Sequence, residues 1–257
     1  MGQGAGVSPP MKPTPVTDFH LAPAERAARE KLPRAVRPKL ASTVVLTIGE
    51  RKSPRILMGR RSPRHDFMPS VYVFPGGRVD RADSFAAFAG DLSARTERVL
   101  EAAMSPRRAR AVALAAVRET YEETGLMLGR TIDPARRRNL NHPTYDAFRA
   151  AGMRPDIAGL EVFGRAITPP HRHKRFDAWF LHKHLSDVAP PEVADSHELQ
   201  DVGWFTLDEV RALELQRATV MMVDVLGRYL ARDVPRAGVF FSRAVRGVFR
   251  GEEDWPG

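Results

Sequence analysis

The stretch Pro106–Thr124, PRRARAVALAAVRETYEET, decides how this 257-residue chain is organised. It consists mostly of alanine, leucine, arginine and glutamate, which are strong helix formers. Ser105 precedes it, where a serine hydroxyl can cap a helix, and Pro106 follows, where the missing N–H of proline costs nothing. Gly125 comes next, in the place where a left-handed glycine commonly ends a helix. We therefore expect one helix about 29 Å long, at about 1.5 Å per residue.

Three glutamates occupy the last two turns of this helix. Glu119, Glu122 and Glu123 lie at positions i, i+3 and i+4, so they share one helical face with Cβ atoms about 5–6 Å apart. Carboxylates packed this closely repel one another, and a cation between them offsets the repulsion. Because carboxylate oxygens on a rigid element suit Mg²⁺ or Mn²⁺, the spacing predicts a divalent metal site. A solvated acidic face is the alternative for a bare E-x-x-E-E pattern.

The composition restricts the kind of partner and compartment. The net charge of +9 favours an anionic partner, such as a phosphorylated metabolite, nucleic acid or a membrane surface. An aromatic content of 8% argues against base stacking with nucleic acid. The absence of cysteine excludes disulfides, zinc–thiolate sites and thiol nucleophiles. No apolar run approaches the roughly 18–20 residues of a membrane span, and no secretion or peroxisomal signal is recognisable, so we expect a cytoplasmic protein without a membrane partner.

The sequence divides into three parts. Residues 1–37 are rich in proline and glycine and are typical of a flexible leader, with one short helix over Pro23–Lys31. Residues 38–231 carry the patterns of a folded domain, with a mostly helical insert at about residues 78–104. Residues 232–257 are basic, and we expect them to form a C-terminal tail.

Apolar runs predict strands on both sides of the central helix. The predicted strands are Ser42–Ile48, Arg55–Gly59, Val71–Phe74, Leu160–Ile167, Phe176–His182 and Val202–Phe205, and the further helices are Tyr145–Ala151, Leu207–Leu213 and Leu215–Leu230. A polar turn separates the first two strands, and Pro75 ends the third before Gly76 and Gly77. Because strands and helices alternate without a regular βαβ rhythm, we expect an α/β fold with a mixed sheet between helices.

Two stretches carry a family resemblance. Arg118–Leu126, RETYEETGL, resembles the second half of the Nudix box, G-x5-E-x7-R-E-U-x-E-E-x-G-U, in which U is a bulky aliphatic residue. Phe74–Gly77, FPGG, resembles the strand end and loop that open the box. The resemblance covers roughly residues 40–230 and implies a Nudix-type α/β/α sandwich. It also implies a hydrolase of nucleoside diphosphates linked to another moiety, with Mg²⁺ or Mn²⁺ as cofactor.

The box departs from the family pattern. Gly77 and Arg118 are 41 positions apart instead of 14, so about 27 residues interrupt the box. Counted back from Arg118, the first glutamate of the pattern falls at Arg110, which suggests that one peripheral carboxylate is missing. The interruption resembles a Nudix branch that includes peroxisomal coenzyme A diphosphatases. The segments Phe67–Asp80 and Ile167–Asp177 are similar to that branch as well.

The resemblance implies roles for single residues. Glu119, Glu122 and Glu123 would hold the metal and act in catalysis, and Arg118 would fix a glutamate or contact phosphate. A fourth acid commonly comes from another segment. Glu198 is the candidate, because it lies six residues before Trp204 in a pattern that family members share. Glu192 in the same loop is the rival. The residues implied for substrate binding are Gly76, Gly77, Arg78 and Arg175.

The expected function is hydrolysis of the pyrophosphate bond in an anionic, nucleoside-diphosphate-linked metabolite, with coenzyme A or acyl-CoA as the leading substrate. ADP-ribose, nucleotide sugars and dinucleoside polyphosphates are the alternatives within the enzyme class. A non-catalytic, nucleic-acid-binding protein with the same fold is the alternative outside it. The +9 charge and Arg110 favour that alternative, whereas the three intact glutamates argue against it. Dimers are common in the family, and a homodimer would use the insert as a contact.

Overall fold

A computed structural model describes residues 19–20, 36–63, 69–131, 142–170, 172–185, 190–232, 238–245 and 248–255. The helix predicted over Pro23–Lys31 lies outside these ranges, as does most of the leader. Phe67 and Met68, which belong to one of the branch-like segments, lie outside them too.

The described residues form twelve strands and five helices. The strands are β1 (Phe19–His20), β2 (Lys39–Ile48), β3 (Arg55–Arg61), β4 (Tyr72–Val73), β5 (Gly76–Arg78), β6 (Gly129–Thr131), β7 (Met153–Pro155), β8 (Glu161–Ile167), β9 (Phe176–His184), β10 (Leu199–Thr206), β11 (Val239–Val245) and β12 (Val248–Trp255). The helices are α1 (Ala94–Glu101), α2 (Pro106–Thr124), α3 (Pro143–Ala150), α4 (Leu207–Ala212) and α5 (Arg217–Leu230), and a 3₁₀ turn spans Ala82–Ser84.

One large mixed sheet forms the centre of the fold. Its strand order is β1-β12-β11-β8-β9-β2-β3-β10, with β4 paired to β3 and β5 paired to β2. Strand β2 runs parallel to β9, and β8 runs parallel to β11, whereas the other neighbouring pairs are antiparallel. Strands β6 and β7 form a separate pair. The prediction of a mixed sheet is confirmed.

The two faces of the sheet carry separate apolar clusters. Because successive residues of a strand point to opposite faces, Val44 and Leu46 of β2 pack in one cluster with Val112 of α2. Val45 lies between them in sequence and packs in the other cluster with Val223 of α5. Helix α2 therefore covers one face and α5 the other, which is the α/β/α arrangement expected from the sequence.

Helix α2 has the predicted bounds. Gly125 ends it in the left-handed conformation, with φ of 72°, and its N–H donates to the carbonyl of Tyr121. Ser105 occupies the N-cap position, but its hydroxyl makes no capping hydrogen bond, so that part of the prediction is wrong. Residues such as Ala113 and Ala116 are fully buried, and their small side chains let the helix lie close to the sheet.

Three segments differ from the prediction. Gly76–Arg78 is not a loop but the short strand β5, which is antiparallel to β2. The insert at residues 78–104 is helical only in the 3₁₀ turn and α1, so the prediction of a mostly helical insert is wrong. The described residues after 237 form β11 and β12, where the sequence analysis expected a tail. Strand β11 pairs with the distant β8, and such long-range pairing leaves no local pattern.

Within the described ranges, no helix combines the length and the apolar character that a bilayer crossing requires.

Candidate active site

The C-terminal half of α2 lies against β5, and the two glycines of that strand bring the backbone close to the glutamates. The N–H of Gly76 donates to Oε2 of Glu123 at 2.8 Å. A Cβ atom on Gly77 would overlap the carboxylate of Glu119. Glycine is therefore required at position 77 for the strand and the acidic end of the helix to meet at this distance.

Arg118 joins the parts of the site. Its Nε and Nη2 donate to the carboxylate of Asp83 at 2.8 and 3.1 Å. Its Nη1 donates to Glu119 at 2.8 Å and to Glu122 at 2.9 Å. Its Nη2 also donates to the carbonyl oxygen of Arg78 at 2.8 Å. One guanidinium therefore holds two of the three helix glutamates and ties α2 to β5.

The pKa of Arg118 is raised above its ordinary value. Burial by itself lowers the pKa of this guanidinium, but the hydrogen bond to Asp83 and the charges of Glu119 and Asp83 outweigh burial. Glu122 acts in the same direction. Arg118 is therefore a permanent cation inside the site.

Burial raises the pKa of the Glu119 carboxyl to about 7, even though the Arg118 guanidinium opposes the shift. The negative charges of Glu122 and Glu198 act in the same direction as burial. Burial also raises the pKa of Glu123 well above its ordinary value, and the charge of Glu119 adds to that shift. Both buried carboxyls therefore favour a partner with positive charge, either a proton or a metal cation.

Glu198 immediately precedes β10. Its carbonyl oxygen accepts a hydrogen bond from the Ser62 N–H at 2.9 Å, which pins this point of the chain next to the residue after β3. Its side chain is exposed, yet its charge contributes to the raised pKa values of Glu119 and Glu123. Glu192 is also exposed and is not among the main causes of these shifts. The electrostatics favour Glu198 over Glu192 as the fourth acid.

Arg78 and Arg175 have different surroundings. Arg78 lies on β5, and its side chain is exposed while its carbonyl holds Arg118. Arg175 donates to the carbonyl oxygens of Thr168 at 2.9 Å and Val36 at 2.6 Å, contacts that support the backbone. No described contact links Arg175 to the glutamates of α2. Substrate binding by either arginine stays a prediction.

Helix α3 contributes two side chains that the sequence analysis did not single out. The hydroxyl of Thr144 donates to Oε1 of Glu122, and the hydroxyl of Tyr145 donates to Asp83. Burial and the charge of Asp83 raise the pKa of Tyr145, so the phenol stays protonated as a donor. No motif marks these residues, because α3 lies outside the glutamate pattern of α2.

The sequence model of the NUDIX domain matches residues 108–223, which include the four residues Arg118, Glu119, Glu122 and Glu123. Residues 108–223 are therefore similar to the NUDIX domain, over slightly less than half of the chain. The acyl-coenzyme A diphosphatase NUDT19 of Gallus gallus is 28% identical to it over 233 residues, covering 67% of this chain and 62% of that protein. The chain therefore spans less than two thirds of this curated relative.

A solved structure is also similar. The crystal structure of a NUDIX hydrolase from Alicyclobacillus acidocaldarius matches with a TM-score of 0.57 and 25% identity, and the match covers 76% of this chain and 93% of that one. The Nudix-type α/β fold predicted from the sequence is confirmed.

The structure corrects the register assigned to the Nudix box. Asp83 stands six positions after Gly77, where the G-x5-E part of the pattern places its first acid. Its carboxylate is fully buried on Arg118. The count back to Arg110 was wrong because the insertion lies after the first acid, between Asp83 and Arg118. A count forward from Gly77 would have found Asp83 from sequence alone, with aspartate in place of glutamate.

The donor set of this site fits a hard divalent cation. The described residues contain no group of three acidic, histidine or cysteine side chains already gathered around one metal position. Arg118 and the Gly76 N–H hold the three glutamates by hydrogen bonds. Each carboxylate oxygen nevertheless keeps a lone pair beside its hydrogen bond, and two of the carboxyls have raised pKa values. Metal binding by Glu119, Glu122 and Glu123 stays a prediction.

Proposed function

We propose that this protein hydrolyses the pyrophosphate bond of a nucleoside-diphosphate-linked metabolite with the help of Mg²⁺ or Mn²⁺. The observation that carries the proposal is the set of three glutamates at the end of α2, two held by the buried Arg118 and the third by the N–H of Gly76 on β5. Similarity to the NUDIX domain and the activity in the name of the chicken relative support it. The net charge of +9 suits an anionic substrate.

The side chains divide the work of the reaction. Glu119, Glu122 and Glu123 would hold the cation, which when bound neutralises phosphate oxygens and makes a coordinated water a better nucleophile. Arg118 keeps two of these carboxylates in place through charge-assisted hydrogen bonds. Glu198 comes from another segment and is the candidate that accepts the proton from water.

Coenzyme A or an acyl-CoA is the substrate we propose. The chicken relative is named as an acyl-coenzyme A diphosphatase, and the interrupted box resembles that branch. ADP-ribose, nucleotide sugars and dinucleoside polyphosphates are the alternative substrates. The nucleic-acid-binding alternative loses one of its two arguments, because Asp83 supplies the acid that seemed to be missing at Arg110.

A product panel tests the proposal. Purified protein is incubated with Mg²⁺ and each candidate substrate, and the products are separated by chromatography. We expect 3′,5′-ADP from coenzyme A or acyl-CoA. Substitution Glu122→Gln should lower turnover by about 100-fold or more, because it removes a charged ligand. Glu101→Gln on the exposed side of α1 is the control and should leave turnover unchanged. Lack of turnover with every member of the panel would refute the proposal.

A further inference from the structure

We propose that Thr144 is a positioning residue that orients Glu122 for metal binding from outside the Nudix box. This inference rests on the proposed function, because it assigns Thr144 a part in the same metal site. It concerns a side chain of α3, an element that contributes nothing to the box pattern.

Glu122 is the member of the three glutamates that most needs support. Its side chain is 36% exposed, whereas that of Glu119 is 12% exposed and Glu123 is buried. Burial therefore restricts the side chains of Glu119 and Glu123 more than that of Glu122. Two hydrogen bonds fix Glu122 instead, one from Arg118 to Oε2 and one from Thr144 to Oε1.

Thr144 is well placed to act as a fixed donor. It is 3% exposed and lies in the first turn of α3. Phe148, one turn later, is fully buried and makes an edge-to-face contact with Tyr121 of α2 at 5.7 Å between ring centroids. Tyr145 anchors the same turn to Asp83. The hydroxyl of Thr144 therefore has a fixed position relative to α2.

A fixed carboxylate binds metal more tightly than a mobile one. Ordering a free glutamate side chain costs conformational entropy, and Thr144 and Arg118 impose that order before a cation arrives. The oxygen that accepts from Thr144 keeps a second lone pair for the cation. Removing a hydrogen bond of this kind next to a metal ligand typically weakens metal affinity by about 10- to 100-fold.

The test compares Mn²⁺ affinity, measured by isothermal titration calorimetry, in Thr144→Val, Thr144→Ser and the wild-type chain. We expect Thr144→Val to weaken binding about tenfold, and Thr144→Ser, which keeps the hydroxyl, to retain the wild-type affinity. Thr96→Val is the matched control, because Thr96 is also fully buried and its hydroxyl donates to a glutamate, Glu161, at 2.9 Å. Thr96→Val should lower the thermal midpoint and leave Mn²⁺ affinity unchanged.

A double variant tests whether Thr144 acts through Glu122. In a Glu122→Gln background, Thr144→Val should have no additional effect on Mn²⁺ affinity, because the two residues act through one interaction. Unchanged or tighter binding by a folded Thr144→Val, or by Thr144→Ala should the valine variant fail to fold, would overturn the role of Thr144 alone. A wild-type chain that binds no Mn²⁺ would overturn the proposed function and this inference together.

Discussion

The carboxylate of Asp83 and the guanidinium of Arg118 form a two-point salt bridge between residues 35 positions apart, with N–O distances of 2.8 and 3.1 Å. The Asp83 side chain is fully buried, and that of Arg118 is 6% exposed. The pair joins the two segments that resemble the halves of a Nudix box. The interruption therefore separates the halves in sequence without separating them in space.

The salt bridge predicts a large loss of stability in Asp83→Asn. The substitution leaves the Arg118 charge buried without its main partner, and breaking such a pair costs about 3–5 kcal/mol. Asp201→Asn is the control, because Asp201 pairs with Arg60 at 2.6 Å on the surface with a side chain 53% exposed. Its loss should cost less than about 1 kcal/mol. Urea unfolding of both variants measures the difference, and equal losses would contradict the buried role of Asp83.

The contact between Gly77 and Glu119 predicts that Gly77→Ala displaces the carboxylate. An added Cβ would overlap Glu119, and misplacing a catalytic group by about 1 Å can lower turnover about 100-fold. Gly227→Ala on α5 is the control, since a Cβ there meets only ordinary contacts at 3.6 Å. It should raise stability by about 0.5–1 kcal/mol with unchanged turnover. Wild-type turnover by Gly77→Ala would show that the close approach has no catalytic importance.

Because His182 is buried, we predict that the free energy of unfolding falls in mild acid. Burial lowers the pKa of His182 to about 3, and the positive charges of His184 and Arg51 add to the shift. An unfolded histidine has a pKa of about 6.5, so between pH 6.5 and 3 the unfolded chain binds a proton that the folded chain does not. The stability from neutral His182 is complete above pH 6.5 and declines as the pH falls through this window, by about 1.4 kcal/mol per pH unit.

His182→Gln tests this dependence. Glutamine can still hydrogen bond to the Thr47 hydroxyl, which lies 2.8 Å from Nε2 of His182, but it does not titrate. Between pH 7 and pH 5, the variant should lose about 2 kcal/mol less unfolding free energy than the wild-type chain. His173→Gln removes an exposed histidine and should behave like wild type. Parallel pH profiles for all three proteins would contradict the assignment.

The contacts of Arg165 with β11 and β12 lead us to predict that this side chain stabilises the folded protein. Its guanidinium makes two hydrogen bonds to Asp177, at 2.8 and 2.7 Å, and lies 4.6–5.0 Å from the ring centroids of Trp179, Phe241 and Trp255. Lysine cannot reproduce this planar arrangement, so Arg165→Lys should lower stability by about 1–3 kcal/mol.

Tryptophan fluorescence during urea unfolding measures the effect of Arg165→Lys. Arg243→Lys is the control, because Arg243 lies over the Phe241 ring and pairs with Glu252 at 3.8 Å in an open position, with a side chain 50% exposed. We expect that variant to stay within about 0.5 kcal/mol of wild type. If both lysine variants were equally stable, the enclosed position of Arg165 would have no energetic value.

The parts of the fold that local patterns determine were predictable. Helix α2 has the predicted bounds because Pro106 and Gly125 mark its ends, and the runs of β-branched residues located most central strands. Strand β5 was missed, since Gly-Gly-Arg has a low intrinsic preference for strands and pairs with β2 only through the tertiary fold. Strands β11 and β12 were missed for a similar reason, because β11 pairs with β8 far away in sequence.

In the candidate site, too, local patterns were predictable and tertiary contacts were not. The three glutamates share one face through helical spacing alone, so the sequence suffices to group them. Their connection to Asp83 was not recognised, because the pairing depends on how the chain returns after the insert. Thr144 reaches Glu122 from another helix, and no spacing rule relates the two positions. Sequence patterns therefore pointed to the acids of α2 and to Arg118, but not to Asp83 or to the hydroxyl groups of α3.

The segment between Asp83 and Arg118 begins and ends at the two partners of one ion pair. The length of this segment has little influence on the position of the α2 glutamates, because Asp83 and Arg118 hold its two ends together. A change in the length of that segment can thus leave the contacts of Arg118 with Asp83, Glu119 and Glu122 in place.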